Sequence, residues 1–408
     1  MENNSAAEIV VIGVLVLATT LANALLRRVG VPSLVGYILI GVVLHATDQQ
    51  FGYMTALLDH VLEFLAKMGL VALLFRVGIE SRPEALAHEL PRASVVGIAN
   101  LSLAAVLGYL TARYALGLEL IASLAVGVAM TATSVGVSLA SWEEEGLVDS
   151  HNGRMLLDVA ELDDIAGIVL MGLLLAIIPT LQQANGQLWS TLGTTALSYA
   201  FKFILFAAGC LLFSQYLEKP ITHWSLRLET NSGVMLTMLG LAVVIAAIAG
   251  WLGFSLAVGA LFAGLVFSRD PEAVNRETNF DDIYALFAPF FFIGIGGEIE
   301  LQALTQSWSW GLILALVAIG SKVVGVGLSA WPLIGRSGAL LLAVSMVPRA
   351  EITMVVAQQG KQMGVLDNQL YAALVVVTAI TSLLAPMVLR PMLRRASVRS
   401  PENSDQEQ

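Results

Sequence analysis

An all-α polytopic membrane protein with about 13 transmembrane helices is the fold class this sequence predicts. The first observation is compositional: 57% of the 408 residues are hydrophobic and 13% charged, with a mean hydropathy of +0.79. A water-soluble domain carries about a quarter of its residues as Asp, Glu, Lys or Arg. This chain lacks the charge to coat a globule, so a bilayer has to be its solvent. The second observation is length: apolar runs of about 20 residues, enough to cross the hydrocarbon as helices, recur along the whole chain. The third is the one-sided placement of basic residues between those runs.

In order, the runs are 7–28, 31–46, 56–79, 92–117, 119–141, 153–180, 191–217, 231–249, 252–268, 281–301, 309–333, 337–360 and 368–390, separated by Gly, Pro and charge clusters. The segment Met1–Glu8 has acids but no Lys or Arg, whereas a secretory signal begins with basic residues. The first run therefore reads as a retained helix. With the N-terminus outside, the inner loops and helix ends hold fourteen basic residues between Arg27 and Arg399, and the outer ones only Arg113 and Lys361. The positive-inside rule requires this asymmetry, and an error of one helix would scramble it. The tail, 397–408, is expected to be cytoplasmic.

Two stretches repeat. The second run reads Pro32-Ser33-Leu34-Val35-Gly36 and then Gly41; the ninth reads Phe254-Ser255-Leu256-Ala257-Val258-Gly259 and then Gly264. The third run ends Phe75-Arg76-Val77-Gly78-Ile79-Glu80, and the tenth Phe292-Ile293-Gly294-Ile295-Gly296-Gly297-Glu298. The offset is seven helices, an odd number, so the two halves must lie inverted in the membrane. Inverted repeats characterise alternating-access transporters, whose sites lie near the midplane at broken helices.

Charge in hydrocarbon is expensive and marks candidate sites. The sixth run holds Asp158, Glu161, Asp163 and Asp164, with the last two near its middle. Adjacent carboxylates project about 100° apart on a helix, and both can line one cavity. At low dielectric they cannot both be cheaply ionised. Such a pair suits holding a proton and yielding it to a hard cation, which takes oxygen ligands. The alternative is a salt-bridged pair that only locks helices together. Lys322 is in mid-run and needs a carboxylate partner at that depth, either Asp163 or Asp164. Coupled titration of the three would make a proton-binding device; a purely structural ion pair is the alternative.

Two polar breaks accompany the charges. The fifth run contains Thr131-Ala132-Thr133-Ser134-Val135-Gly136, and the twelfth Met346-Val347-Pro348-Arg349-Ala350-Glu351. Proline frees backbone carbonyls, and unwound backbone is tolerated at depth only where protein or a cavity covers it. Under the repeat these two runs are equivalents, so the breaks are expected to cross near the Asp pair. Arg349 and Glu351 either pair, brace the break or take part directly. Glu80 and Glu298 read as interfacial or domain contacts, and Lys67 and Arg76 as snorkelling side chains. His45, His60, His88, His151 and His223 lie near helix ends or in loops. Cys210, the one cysteine, reads as a small core hydrophobe. The net charge of −10 comes partly from Glu143–Glu145 and the acidic tail, and it suggests no nucleic-acid partner.

The run Glu161-Leu162-Asp163-Asp164-Ile165-Ala166-Gly167 joins Ala132-Thr133-Ser134-Val135, Ser321-Lys322 and Val347-Pro348-Arg349-Ala350-Glu351. Together they resemble the bacterial sodium/proton antiporters of the monovalent cation:proton antiporter superfamily, over essentially the whole chain. The resemblance implies an inverted-repeat antiporter fold with two broken crossing helices. It implies core helices at about 92–180 and 309–390, dimerisation helices at about 7–79 and 231–301, a linker helix at about 191–217, and a homodimer. Asp164 would be the principal cation and proton site, Asp163 the second carboxylate paired with Lys322, and Thr133 and Ser134 would lie at the first break. Thr131, Glu161, Arg349 and Glu351 would support them. The Asp-Asp form with Lys implies electrogenic exchange of Na⁺ (or Li⁺) for protons in a bacterial inner membrane, with no cofactor. Departures are Ala350, where Gly is usual, and the additional Glu161. A potassium/proton antiporter of the same fold is the nearest rival. A channel would show a filter-like glycine loop, and an intramembrane aspartyl protease needs its two Asp on separate helices rather than adjacent.

Overall fold

The computed structural model describes residues 2–29, 31–80, 83–183, 188–226, 233–268 and 280–397. The tail from 398 onward and the side chains of Glu80, His88 and His223 lie outside the described residues. The helices are α1 (Glu2–Val29), α2 (Ser33–Phe51), α3 (Ala56–Glu80), α4 (Pro83–Leu110), α5 (Leu120–Ala129), α6 (Val135–Glu144), α7 (His151–Gln183) and α8 (Leu188–Tyr216). They continue with α9 (Glu218–Leu226), α10 (Gly233–Trp251), α11 (Leu256–Phe267), α12 (Phe280–Gly297), α13 (Leu301–Ser345), α14 (Glu351–Gln362) and α15 (Asn368–Ser397). Among the described residues each apolar run of the sequence falls mainly on helix, two of them with a non-helical break.

Among the described residues, five helical segments are long and apolar enough to cross a membrane: Glu8–Leu26, Ala93–Ala115, Leu197–Tyr216, Gln302–Ser345 and Asn368–Ala396. The fifth run is not one helix but α5 and α6, broken at 130–134. The eleventh run and the start of the twelfth form α13, which turns at Gly335 (φ 72°) just after Pro332. Only glycine enters that left-handed region freely. The twelfth run then breaks at 346–350 before α14. The short α9, between α8 and α10, falls where sequence periodicity leaves a loop.

The chain divides into two compact units. One comprises Met1–Val29, Ser33–Pro83 and Gly172–Ile299; the other Gly30–Pro32, Glu84–Met171 and Glu300–Gln408. In the first unit the repeated glycines explain the packing. A Cβ on Gly36 would collide with Leu26 of α1, and one on Gly259 would lie 2.6 Å from Ala249 of α10. A Cβ on Gly41 would lie 2.9 Å from the Gly296 Cα of α12, and one on Gly264 2.7 Å from the Gly78 Cα of α3. The first glycine of each motif thus seats the preceding helix and the second seats the third helix of the opposite repeat. Small residues allow this close backbone approach where lipid supplies no hydrophobic drive between helices. Tyr199, Phe203 and Phe206 of α8 stack edge-on or tilted against Phe254 or Phe262 at the α11 end. Arg76 lies 4.5 Å over the Tyr284 ring, a cation–π contact, and Lys67 pairs with Glu63 one turn away.

In the second unit, Trp142, Leu156, Val159, Leu342 and Leu389 are fully buried in one apolar cluster joining α6, α7, α13 and α15. Trp142 donates its Nε1–H to Ser345 Oγ at 2.9 Å. That bond fixes α6 to the end of α13, beside the second break.

Candidate functional site

Broken helices leave carbonyls without intrahelical donors, and at membrane depth each has to find another. Here the two breaks satisfy one another. The Ser134 amide donates to Pro348 O at 2.8 Å, so the extended strands cross backbone to backbone. Of the carbonyls near the α5 end, Ala129 O accepts from Thr353 Oγ1 at 2.9 Å and Thr131 O from Lys322 Nζ at 2.7 Å. Ala132 O accepts from Arg349 Nη1. At the α13 end, Ser345 O accepts from Ser138 Oγ at 2.7 Å, and Thr133 Oγ1 lies 3.3 Å from Met346 O. From α15, Thr381 Oγ1 accepts the Arg349 amide at 3.1 Å and Ser382 Oγ donates to Arg349 O at 2.8 Å.

The adjacent carboxylates of α7 have different surroundings. Asp163 is 1% exposed. Its Oδ2 accepts from Thr133 Oγ1 at 2.6 Å and from Lys322 Nζ at 3.1 Å, and its Oδ1 accepts from Asn100 Nδ2 at 2.7 Å. Four elements, α4, α7, α13 and the first break, meet on this one carboxylate. Asp164 projects from the same helix about 100° round and is partly exposed. It accepts no hydrogen bond among the described residues, and the charges acting on it are Asp163, Glu351, Lys322 and Glu161. One carboxylate is therefore held in a ring of donors, while its neighbour has oxygens available to a ligand.

The other candidates fall around this pair. Glu161 is on α7, one turn before Asp164, and Glu351 opens α14; both are partly exposed. The Thr131 hydroxyl turns back to Val128 O, so its carbonyl rather than its side chain serves Lys322. Ser134 is buried with no partner for Oγ among the described residues. Arg349 is fully buried and braces the first break through Nη1; its Nε and Nη2 have no partner among the described residues. Thr133, Ser134 and the two Asp residues offer the hydroxyl and carboxylate oxygens that suit a hard cation. Sequence reasoning missed Asn100, Thr353, Thr381 and Ser382. The signal for Asn100 was available: it is an amide inside the apolar α4 run, where polar side chains bond between helices.

Residues 14–395 match the family model described as sodium/hydrogen exchanger, transmembrane. The chain is 25% identical over 384 residues to a Na⁺/H⁺ antiporter of Enterococcus hirae, covering 93% of this chain and 97% of that protein. It is 26% identical over 344 residues to the high-affinity Na⁺/H⁺ antiporter NhaS3 of Synechocystis, covering 83% and 73%. In three dimensions it resembles the sodium proton antiporter MjNhaP1 of Methanocaldococcus jannaschii, with a TM-score of 0.71 at 15% identity over 97% of this chain and 99% of that one.

Proposed function

The chain belongs to the sodium/hydrogen exchanger family and exchanges a monovalent cation for protons, and from that premise we propose that Asp164 is its cation and proton site. The observation that carries this reading is the contrast between two adjacent carboxylates. Asp163 is almost fully buried and accepts from three donors, while Asp164 is partly exposed and accepts no hydrogen bond among the described residues. A proton and a Na⁺ or Li⁺ ion compete for the same oxygens of Asp164, and that competition couples their opposite movements. Thr133, which bonds the adjacent Asp163, and Ser134 stand at the first break.

The Asp163–Lys322 pair makes the exchange electrogenic. With both carboxylates ionised and Lys322 protonated, the trio carries −2 + 1 = −1. A cation arriving at Asp164 displaces its proton to solvent, and its charge also drives the Lys322 ammonium to give up a second proton, leaving a neutral amine beside an ionised Asp163. About two protons leave per cation, so each cycle moves net charge, worth about 2.3 kcal/mol per 100 mV. The core helices, about 92–180 and 309–390, alternate the exposure of Asp164 by moving against the dimerisation helices, about 7–79 and 231–301, in a homodimer of a bacterial inner membrane.

Proteoliposome flux tests this reading. Na⁺ and Li⁺ are expected to drive proton release ahead of K⁺, and a valinomycin-imposed potential at equal pH is expected to drive Na⁺ movement. Asp164→Asn is expected to abolish exchange while the protein melts as the wild type does. Near-normal cation-dependent proton release by a folded Asp164→Asn variant overturns the site. Flux that ignores the sign and size of the potential overturns the role given to Asp163 and Lys322.

A further inference from the structure

Asp163 divides its two oxygens between different partners. Oδ2 takes Lys322 and Thr133, and Oδ1 takes only Asn100 among the described residues. Asn100 is on α4, 0% exposed, inside the apolar segment Ala93–Ala115. A buried amide at that depth is costly unless its groups are bonded, yet Asn100 Oδ1 is fully buried with no donor among the described residues. Its approach to the site is built into the opposite helix. Gly325 lies one turn beyond Lys322 on α13, and a Cβ there would come 3.3 Å from Asn100 Cα and 3.4 Å from Ala99 O. The bare backbone at Gly325 lets α4 close on α13 and sets Asn100 and Lys322 against the same carboxylate.

We propose that Asn100 is a positioning residue that keeps Asp163 bonded while Lys322 lets go, and that it thereby permits the charge-moving half of the cycle. The inference rests on the electrogenic reading above. When Lys322 leaves, Oδ2 loses its ion pair but Oδ1 keeps its donor. If Asp163 remains ionised, the Asn100 Nδ2–H bond persists. A proton taken up by Asp163 would cancel the one that Lys322 gives up, so the charge-moving half needs Asp163 to stay ionised and bonded. The amide N–H donates without bringing a charge, so it supports the carboxylate without taking the place of Lys322 as a counter-ion. The other charges acting around the pair are Asp164, Arg349, Glu351 and Glu161, while the donors to Asp163 among the described residues are Asn100, Thr133 and Lys322. Without Asn100, release of Lys322 would leave a buried carboxylate with Thr133 alone, and uncompensated buried charge is strongly disfavoured. Lys322 then stays in place, and Asp164 alone exchanges one proton for one cation.

The test is the null point of transport, meaning the Na⁺ gradient at which net flux through the reconstituted protein vanishes. For one net charge per cycle this ratio moves by about 50-fold for each 100 mV of valinomycin-imposed potential, and for electroneutral exchange it does not move. A slower protein reaches the same null point, so loss of structural support alone leaves it unchanged. Wild type is expected to show the steep dependence and Asn100→Leu a flat one with residual flux. Asn100→Ser, which can donate and accept, is expected to regain the steep dependence. A steep null point in Asn100→Leu overturns the proposal, as does a folded Asn100→Leu with no flux at all. If Asn100→Leu fails to fold, Asn100→Ala decides, a flat null point supporting the proposal and a steep one overturning it. A flat null point in the wild type overturns the electrogenic reading first, and is distinguishable because every variant then matches it.

Discussion

Breaking the Asp163–Lys322 pair from one side should destabilise the protein far more than removing both partners. The side chains of both residues are fully buried and their charges meet at 3.1 Å. Asp163→Asn leaves the Lys322 ammonium with the Thr131 carbonyl alone among its present acceptors. Lys322→Met leaves the Asp163 carboxylate with Asn100 and Thr133. Each single change strands one buried charge, at about 3–5 kcal/mol. The double variant strands none: an amide at 163 still meets the hydroxyl and amide of its neighbours, and Met fills most of the lysine volume. Its cost should be about 1 kcal/mol, because replacing a buried pair outright is often close to neutral. The two sites therefore couple by several kcal/mol, well beyond the few tenths expected of independent positions. Thermal melting of the purified protein in detergent reads this out. At roughly 2 °C per kcal/mol for a chain longer than 250 residues, each single variant should melt about 6–10 °C below wild type and the double variant within about 2 °C of it. Additive losses, with the double variant melting lowest, would refute the claim that the pair is held together by mutual neutralisation.

Two further outcomes are expected. Gly264→Val, whose added Cβ would overlap Phe75 O and lie 2.7 Å from Gly78 Cα, should cost about 1–3 kcal/mol by forcing α11 from α3, whereas Gly240→Ala, with nothing within 4 Å, should melt as the wild type does; equal melting of both would remove the role given to the glycine contacts. A reporter fused after Arg399 should read as cytoplasmic, from the fourteen-to-two loop asymmetry of basic residues, and a periplasmic reading would undo the thirteen-helix topology.

Much of this architecture was legible because its determinants are local. Apolar runs long enough to span a bilayer, Pro348 in the middle of one of them and paired glycines at a fixed spacing are features of a single segment. The packing of Gly41 on Gly296 and of Gly264 on Gly78 follows from matching motifs and needs no knowledge of the loops. Spacing alone left open whether Asp163 or Asp164 meets Lys322; only the family resemblance assigned Lys322 to Asp163, the contact that is seen. Two neighbours on a helix point about 100° apart, and only the positions of α4 and α13 decide which is enclosed. Those positions depend on Gly325 meeting Asn100, a pair separated by most of the chain. Thr353, Thr381 and Ser382 escaped notice for the same reason: a hydroxyl in an apolar helix commonly bonds its own preceding turn, and the sequence does not say when it reaches another helix instead. The α9 helix escaped because nine residues with two charges and a proline carry no clear period.

The two breaks differ electrically, although the repeat makes them equivalents. The C-terminal end of a helix carries a partial negative charge, and both α5 and α13 end in the crossing. The α5 end receives the two buried cations, Lys322 at Thr131 O and Arg349 at Ala132 O. The α13 end receives a neutral donor at Ser345 O, from Ser138, with the Thr133 hydroxyl beside Met346 O. Arg349 sits on the second break yet serves the first. Any departure of Lys322 therefore uncovers two acceptors together, Asp163 Oδ2 and the Thr131 carbonyl at the negative end of α5. The ion pair and the first break are one electrostatic unit, with Arg349 as its remaining cation. A cation bound at Asp164, the site proposed above, would be felt at both acceptors, on the adjacent residue of α7 and at the end of α5. The second break is tied to the same unit, because the Thr133 hydroxyl that bonds Asp163 Oδ2 also lies beside Met346 O and the Ser134 amide donates to Pro348 O.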